Sequence, residues 1–370
     1  MRRRIISRSA VCIGAALALA LTFKPPLVDR AFAQDKGAVK AANGLVTATA
    51  SVPKPSVKAP VEYQDKIYSK KKYKLNKKLV KASAKGNVEK VEKLLDEGAD
   101  IEFIDDTSFF THAAHWNPLQ YACKHGNIEI MDFLISGGAG LGPNKKIGST
   151  PLMVAAYYNQ SDAVEFLIAK GAKVDERSDN EFTALMSASI NGRLDAGRKL
   201  VQHGADVNAK SSFYGDTPLY LTVARDNYEF VEFLLFHGAD INVRNNYDMT
   251  PLIKAAGNGS VNSVKILVAK GADVNLLDDE GMNALMWAVR GVDAEVKKLP
   301  PEELEKMGVG ERSLYEMKRR YRKESIEIIK ILLANPNLDI GAVDNEGRTV
   351  LDYADDAEVR KLLEKQGGLK

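Results

Sequence analysis

The pair Gly-Ala recurs along this chain at a near-constant step. It stands at Gly98-Ala99, Gly138-Ala139, Gly171-Ala172, Gly204-Ala205, Gly238-Ala239 and Gly271-Ala272, separated by 40, 33, 33, 34 and 33 residues. A second marker keeps phase with it: Asn117-Pro118-Leu119, Thr150-Pro151-Leu152, Thr183-Ala184-Leu185, Thr217-Pro218-Leu219, Thr250-Pro251-Leu252 and Asn283-Ala284-Leu285. Thr349-Val350-Leu351 follows two periods later. A unit of about 33 residues cannot bury an apolar face alone, so such a chain gains its stability by stacking neighbours.

The residue types explain each unit. Pro at a first helical position gives up no useful N–H, and the Thr before it can cap. A short helix follows, such as Leu152 to Tyr158. A second helix carries apolar residues at helical spacing, as in Val164, Leu167 and Ile168. Gly171 then ends it in the left-handed region, and Ala172-Lys173-Val174-Asp175 leads into an extended turn.

The period and the triplets resemble the ankyrin repeat, whose T-P-L-H-x-A core they match. The resemblance covers roughly residues 75–366 in about eight units. It implies an all-α helical solenoid, helix-turn-helix plus a β-hairpin turn per unit. The family's His is missing: Gln120, Met153, Met186, Tyr220, Ile253 and Met286 stand in its place. The resemblance then implies that the hydrogen bond this His makes between units gives way to apolar packing. Seven extra residues between units one and two bring Phe109, Phe110 and Trp116. A charged insertion at about 292–324 interrupts unit seven. It holds Leu299-Pro300-Pro301-Glu302-Glu303 and Lys318-Arg319-Arg320-Tyr321-Arg322-Lys323, and reads as an extension of both helices of that unit.

Ahead of the repeats the chain changes character. Arg2, Arg3 and Arg4, the apolar stretch Ala10 to Phe23 and the site Ala31-Phe32-Ala33 form the three-part layout of a cleavable signal peptide over residues 1–33. That places the chain in the periplasm or outside the cell. Cys12 would leave with the leader, and Cys123 would remain as a lone thiol. Residues 34–74 show no apolar period and read as a flexible basic linker. It ends in Lys70-Lys71-Lys72-Tyr73-Lys74, a run able to touch anionic headgroups but read as simply solvated.

No catalytic constellation stands out, and no cofactor is implied. His112, His115, Cys123 and His125 cluster in sequence, yet the repeat frame puts Cys123 in a buried small-residue slot and His125 on the exposed side. They read as no metal site. His203 and His237 precede terminating glycines and read as helix caps. Gly137 to Gly142 lacks the spacing and the strand context of a phosphate loop. Trp287 reads as packing.

What the frame leaves free is a face. In proteins of this resemblance, turn tips and the inner ends of first helices line a concave surface that contacts partners. The corresponding positions are Trp116, Lys146, Ile147, Tyr157, Tyr158, Asp179, Asn180, Phe182, Ile190 and Asn191, then Phe213, Tyr214, Asp216, Arg225, Asn246, Tyr247, Met249, Asn258, Asp279, Glu280, Met282 and Arg290. Of these Trp116, Tyr157, Tyr158, Phe182, Phe213, Tyr214, Tyr247, Met249 and Met282 have hot-spot chemistry.

Charge sharpens the partner. The whole chain is formally +3, but residues 1–33 carry six basic groups and one acid, and residues 34–80 carry eleven against three. The remainder holds 35 basic and 45 acidic groups, a net of −10. The reading is an exported, monomeric scaffold or adaptor, not an enzyme, that binds a protein with a basic surface and no nucleic acid. An immunity-type inhibitor of a toxin or enzyme, or an effector binding a host protein, suits the same architecture.

Overall fold

A computed structural model describes residues 70–104, 116–146, 148–293 and 311–367. The signal peptide, residues 34–69 of the linker, Phe109, Phe110, His112, His115, Ile147 and the centre of the insertion lie outside the described residues. Tyr68–Ala294 with Lys318–Lys370 forms one compact unit; of the other, residues 1–67 with 295–317, only the start of one helix is described.

Among the described residues, eight helical pairs follow in chain order: α1 (Lys70–Lys85) and α2 (Val88–Asp96), α3 (Pro118–His125) and α4 (Ile128–Ser136), α5 (Pro151–Tyr157) and α6 (Ser161–Ala169), and α7 (Ala184–Ile190) and α8 (Leu194–Gln202). Then come α9 (Pro218–Val223) and α10 (Tyr228–Phe236), α11 (Pro251–Gly257) and α12 (Val261–Ala269), α13 (Ala284–Asp293) and α14 (Glu311–Leu333), and a 3₁₀ turn (Val350–Tyr353) with α15 (Ala357–Gly367). No strand occurs among the described residues. The hairpin turns are instead closed by one or two backbone bonds, such as Asn245 N to Met249 O and Asp248 N to Asn245 O, both at 3.1 Å.

Both sequence markers do the work their chemistry allows. Thr150 Oγ1 accepts from Met153 N at 3.1 Å, Thr250 Oγ1 from Ile253 N at 3.2 Å and Asn117 Oδ1 from Gln120 N at 2.9 Å, so the triplets start helices. Gly171, at φ +97°, ends α6; Ala172 N then bonds Leu167 O, and the Ala172 side chain is buried. Leu119, Leu152, Leu185, Leu219, Leu252 and Leu285 from first helices meet Leu134, Leu167, Leu200, Leu234 and Leu267 from second helices in one continuous apolar core. His203 and His237 occupy C-cap positions, and His237 Nδ1 lies 2.9 Å from Phe233 O.

Helices of six to nine residues leave most of their terminal backbone groups without partners inside the helix. The next unit supplies them. Asn127 Nδ2 donates to Ser83 O, Gln160 Nε2 to Lys124 O, Arg193 Nε to Tyr157 O, Arg225 Nε to Ile190 O and Asn258 Nδ2 to Ala224 O, at 3.0–3.3 Å. Help also runs the other way. Helix α12 has no side-chain cap of its own; Asp226, in the preceding unit, accepts from Ser263 N at 2.7 Å and Asn262 N at 3.3 Å. To do so Asp226 holds φ +53°.

A third ladder runs through the turns. Asp206 N bonds the Asp175 carboxylate, Asp240 N bonds Asn208 Oδ1, Asp273 N bonds Asn242 Oδ1 and Asp339 N bonds Asn275 Oδ1. The last step skips the insertion and keeps the same geometry at 2.8 Å.

Two expectations change, while the expected extension of unit seven is seen in its second helix. Lys70–Lys74, read as the end of the linker, forms the first turn of α1. The missing family His is not replaced by apolar packing everywhere: Gln120 is buried, donates to Ser149 O at 2.7 Å and accepts from Asn144 Nδ2 at 2.8 Å. In unit seven the second helix is extended to 23 residues, and Arg322 on it clamps Asp356 and Glu358 at the start of α15.

Replacing Asp226 by Ala should cost about 1–2 kcal/mol, since two N–H groups lose their acceptor while the strained φ stays. Replacement by Gly should cost about 1 kcal/mol less, because Gly meets no Cβ clash there. Urea midpoints of the two variants check the order.

Candidate partner-binding face

The turn tips are built on a polar slot at the start of each hairpin. Ser211, Asn245, Asp278 and Asp344 are buried there. Asn245 Oδ1 accepts from Tyr247 N and Met249 N at 3.0 and 3.1 Å, and Asp278 Oδ1 from Glu280 N and Met282 N at 3.0 and 2.8 Å. Ser211 Oγ accepts from Asp216 N at 3.1 Å. A short polar side chain that bonds the backbone just ahead of it folds a turn locally. The tips are then sewn to one another: Ser212 N to Asn180 O, Asn246 N to Tyr214 O, Asp279 N to Tyr247 O and Asn345 N to Glu280 O, at 2.8–3.2 Å. Sequence reasoning passed over this slot. Its signal is a Ser, Asn or Asp five or six residues before each cap residue from Thr150 onward.

On this frame the candidate residues separate into three groups. Phe213 is 70% exposed, its ring centroid 4.6 Å from that of Tyr214, which lies 6.2 Å from Tyr247 in the next tip. These three form one aromatic row. Tyr157 and Tyr158, half-buried at the end of α5, lie 5.0 Å apart, with Lys124 Nζ 5.1 Å over the Tyr158 ring. The third group is the residue directly before each cap: Trp116, Phe182, Asp216, Met249 and Met282.

That third slot faces inward. Trp116 and Met282, assigned by sequence to the open face, are buried, with Met282 fully inaccessible. Trp116 packs edge-on against Tyr121 and Tyr158, and Met282 belongs to the apolar core beside Arg290. Phe182 is half-buried against Met186, Ala209 and Leu221, and Met249 is half-buried. Asp216 is buried and accepts from Asn245 Nδ2 at 3.0 Å. Asn191, Arg225 and Asn258 commit their side chains to the preceding unit's carbonyls. Trp287 packs on the core, donating from Nε1 to Asp278 Oδ2 at 2.6 Å.

Burial governs the ionisable groups. It raises the Tyr157 hydroxyl and, with Tyr157 and Tyr121 adding to it, pushes that of Tyr158 up to about 12, so both remain hydrogen-bond donors. Burial also pushes the Cys123 thiol up, away from the thiolate a metal would need. Cys123 is inaccessible and His125 exposed, so the two do not converge. Among the described residues, no three His, Cys, Asp or Glu side chains are grouped to hold a metal ion.

Stacked helical pairs with a core between them and open turn tips define a repeat solenoid of the protein-interaction class. Residues 79–178, 170–245 and 219–299 match the family model for ankyrin repeats in three copies, and the chain belongs to the ankyrin repeat family. It is 40% identical over 73 residues to the mouse 2-5A-dependent ribonuclease, a match covering 20% of this chain and 9% of that protein. It is 54% identical over 41 residues to a putative ankyrin repeat protein, FPV031, of fowlpox virus, covering 11% of this chain and 12% of that one. The chain thus spans a small fraction of the curated relatives it matches. The crystal structure of the human ASB11 ankyrin repeat domain superposes with a TM-score of 0.53 at 20% identity, over 69% of this chain and all of that one, which shows the shared fold.

Asp216 yields a pH test of the tip frame. Burial raises its carboxyl above the ordinary 3.8, against the opposing pull of Asn245 and Lys254. The folded chain therefore favours the protonated form, and that contribution to stability is lost as pH rises through the folded value. Asp216→Asn keeps an acceptor for Asn245 and removes the charge. It should raise the urea midpoint at pH 7, with the gain vanishing below about pH 4, where the wild-type group is protonated in both states.

Proposed function

We propose that this chain is an exported scaffold or adaptor that recognises a partner protein through the concave face of its solenoid, centred on units two to six. The observation that carries the reading is the aromatic row Phe213, Tyr214 and Tyr247. Phe213 is 70% exposed on a tip whose backbone is already fixed by Ser211 and by the neighbouring tips. Rings held on a preformed frame lose little entropy on binding, which makes them good anchors. Tyr157 and Tyr158 extend the contact as half-buried rims. The acidic balance of the repeats, 35 basic against 45 acidic groups, favours a partner with a basic surface. The leader over residues 1–33 supports export to the periplasm or the medium, and the ankyrin fold is one that typically carries no catalysis.

The test uses the tagged full chain, expressed in an export-competent bacterium. Mass analysis should find a mature protein beginning at Gln34. A partner recovered with the native chain should be lost at least a hundredfold from a Phe213→Ala, Tyr214→Ala, Tyr247→Ala variant, on the scale of about 2 kcal/mol per hot-spot ring. Circular dichroism should be unchanged. Equal recovery by both versions would show that the tips do not form the interface.

A further inference from the structure

The N-terminal unit differs from all others in its charge. Helix α1 carries eight lysines and no acid in its sixteen residues, KKKYKLNKKLVKASAK. Its inner face, Leu79, Val80 and Ala82, is buried. Lys71, Lys74, Lys78, Lys81 and Lys85 recur at steps of three and four on the outer face, and all are exposed. At 1.5 Å rise per residue this row runs about 21 Å along the helix. Lys78, Lys81 and Lys85 join Lys90 of α2 and Asn87 around an open hollow of about 370 Å³.

Three lysines elsewhere in the solenoid are neutralised between units. Lys170 meets Asp132 at 2.6 Å, Lys199 meets Glu165 at 2.7 Å and Lys265 meets Glu327 at 2.6 Å. The five outer lysines of α1 and Lys90 form no ion pair among the described residues, although the exposed Glu89 and Glu92 stand on the adjoining helix. Like charges at helical neighbour spacing repel. A counter-charge supplied from outside would relieve that repulsion.

The chemistry of the row selects the kind of counter-charge. A single small anion cannot span 21 Å, so the ligand is extended and polyanionic. Lysine offers point charges without the planar fork that arginine brings to specific phosphate or carboxylate pairs. The patch presents no exposed aromatic or large apolar side chain: Ala82 is buried, and Tyr73 turns its ring edge-on to Phe103 at 5.6 Å. It therefore lacks both the desolvated anchor of a protein hot spot and the stacking platform of a single-strand binder. A surface of diffuse negative charge needs neither. We propose that the outer face of α1 with Lys90 docks on a bilayer containing anionic phospholipid, holding the solenoid at a membrane by its N-terminal unit. The sequence reading took the start of this run as solvated; the row, its continuation through Lys85 and Lys90 and the lack of ion pairs argue otherwise.

Flotation of the full chain with vesicles tests this. Binding to phosphatidylcholine containing about 30% phosphatidylglycerol should exceed binding to phosphatidylcholine alone at least tenfold and fall as salt is raised. A Lys74→Gln, Lys78→Gln, Lys81→Gln, Lys85→Gln variant should lose at least thirtyfold in affinity for the anionic vesicles, and the matching four-Arg variant should bind like the native chain. Any leader contribution is common to all three proteins. The proposal is overturned if the Gln variant floats as the native chain does, if the Arg variant fails to bind, or if neutral vesicles bind equally well. It also falls if polyglutamate or duplex DNA binds more tightly than the vesicles, which would make the row a site for a soluble polyanion. These lysines lie outside the aromatic row, so this result and that of the partner test are independent.

Discussion

The first helices of units two to six are too short to complete their own backbones, and that shortage organises the molecule. A helix of six to nine residues is marginal alone in water, because nucleation costs more than so few hydrogen bonds return. Here the open carbonyls of one unit receive Asn, Gln or Arg donors from the next, while Asp226 caps a helix in the unit after its own. Apolar stacking supplies the driving force, and these bonds set the register in which it acts.

The same bonds decide which side chains are available to the outside. Arg225, Asn191 and Asn258 look like surface groups and are occupied with neighbouring carbonyls. The tip residue Phe213, 70% exposed, adds little to the frame through its ring, because Ser211 and backbone bonds hold its turn. Stability and recognition are thereby assigned to different atoms of the same loop. Charge is divided as well, between a lysine-only helix at one end and acidic repeats after it.

Much of this was legible in the sequence, because Gly-Ala and Thr-Pro-Leu mark backbone conformations that few other residues adopt. Gly171 needs a left-handed φ, Ala172 needs a small buried side chain, and Thr150 needs an oxygen within reach of an N–H. The open face was less legible. Trp116 and Met282 precede the cap, where counting positions cannot say whether a side chain points along the tip or beneath the next one. Direction there depends on the hairpin-opening residue, and that residue varies among Ser, Asn and Asp. Gln120 defeated the expectation of apolar packing because an amide reaches both its own cap and the following turn. The start of α1 was missed because a lysine run looks like a tether until its apolar face finds unit two.

The interrupted seventh unit has a consequence for the order of folding. The ladder bond from Asp339 to Asn275 closes over 64 residues, where the preceding step from Asp273 to Asn242 closes over 31. Doubling a flexible loop adds about 0.6 kcal/mol of closure entropy, or close to a threefold slower ring closure. Units two to six lack this delay. The chain is thus built to zip from its middle, with the last helical pair arriving as a late clasp drawn in by Arg322 and the acids of α15.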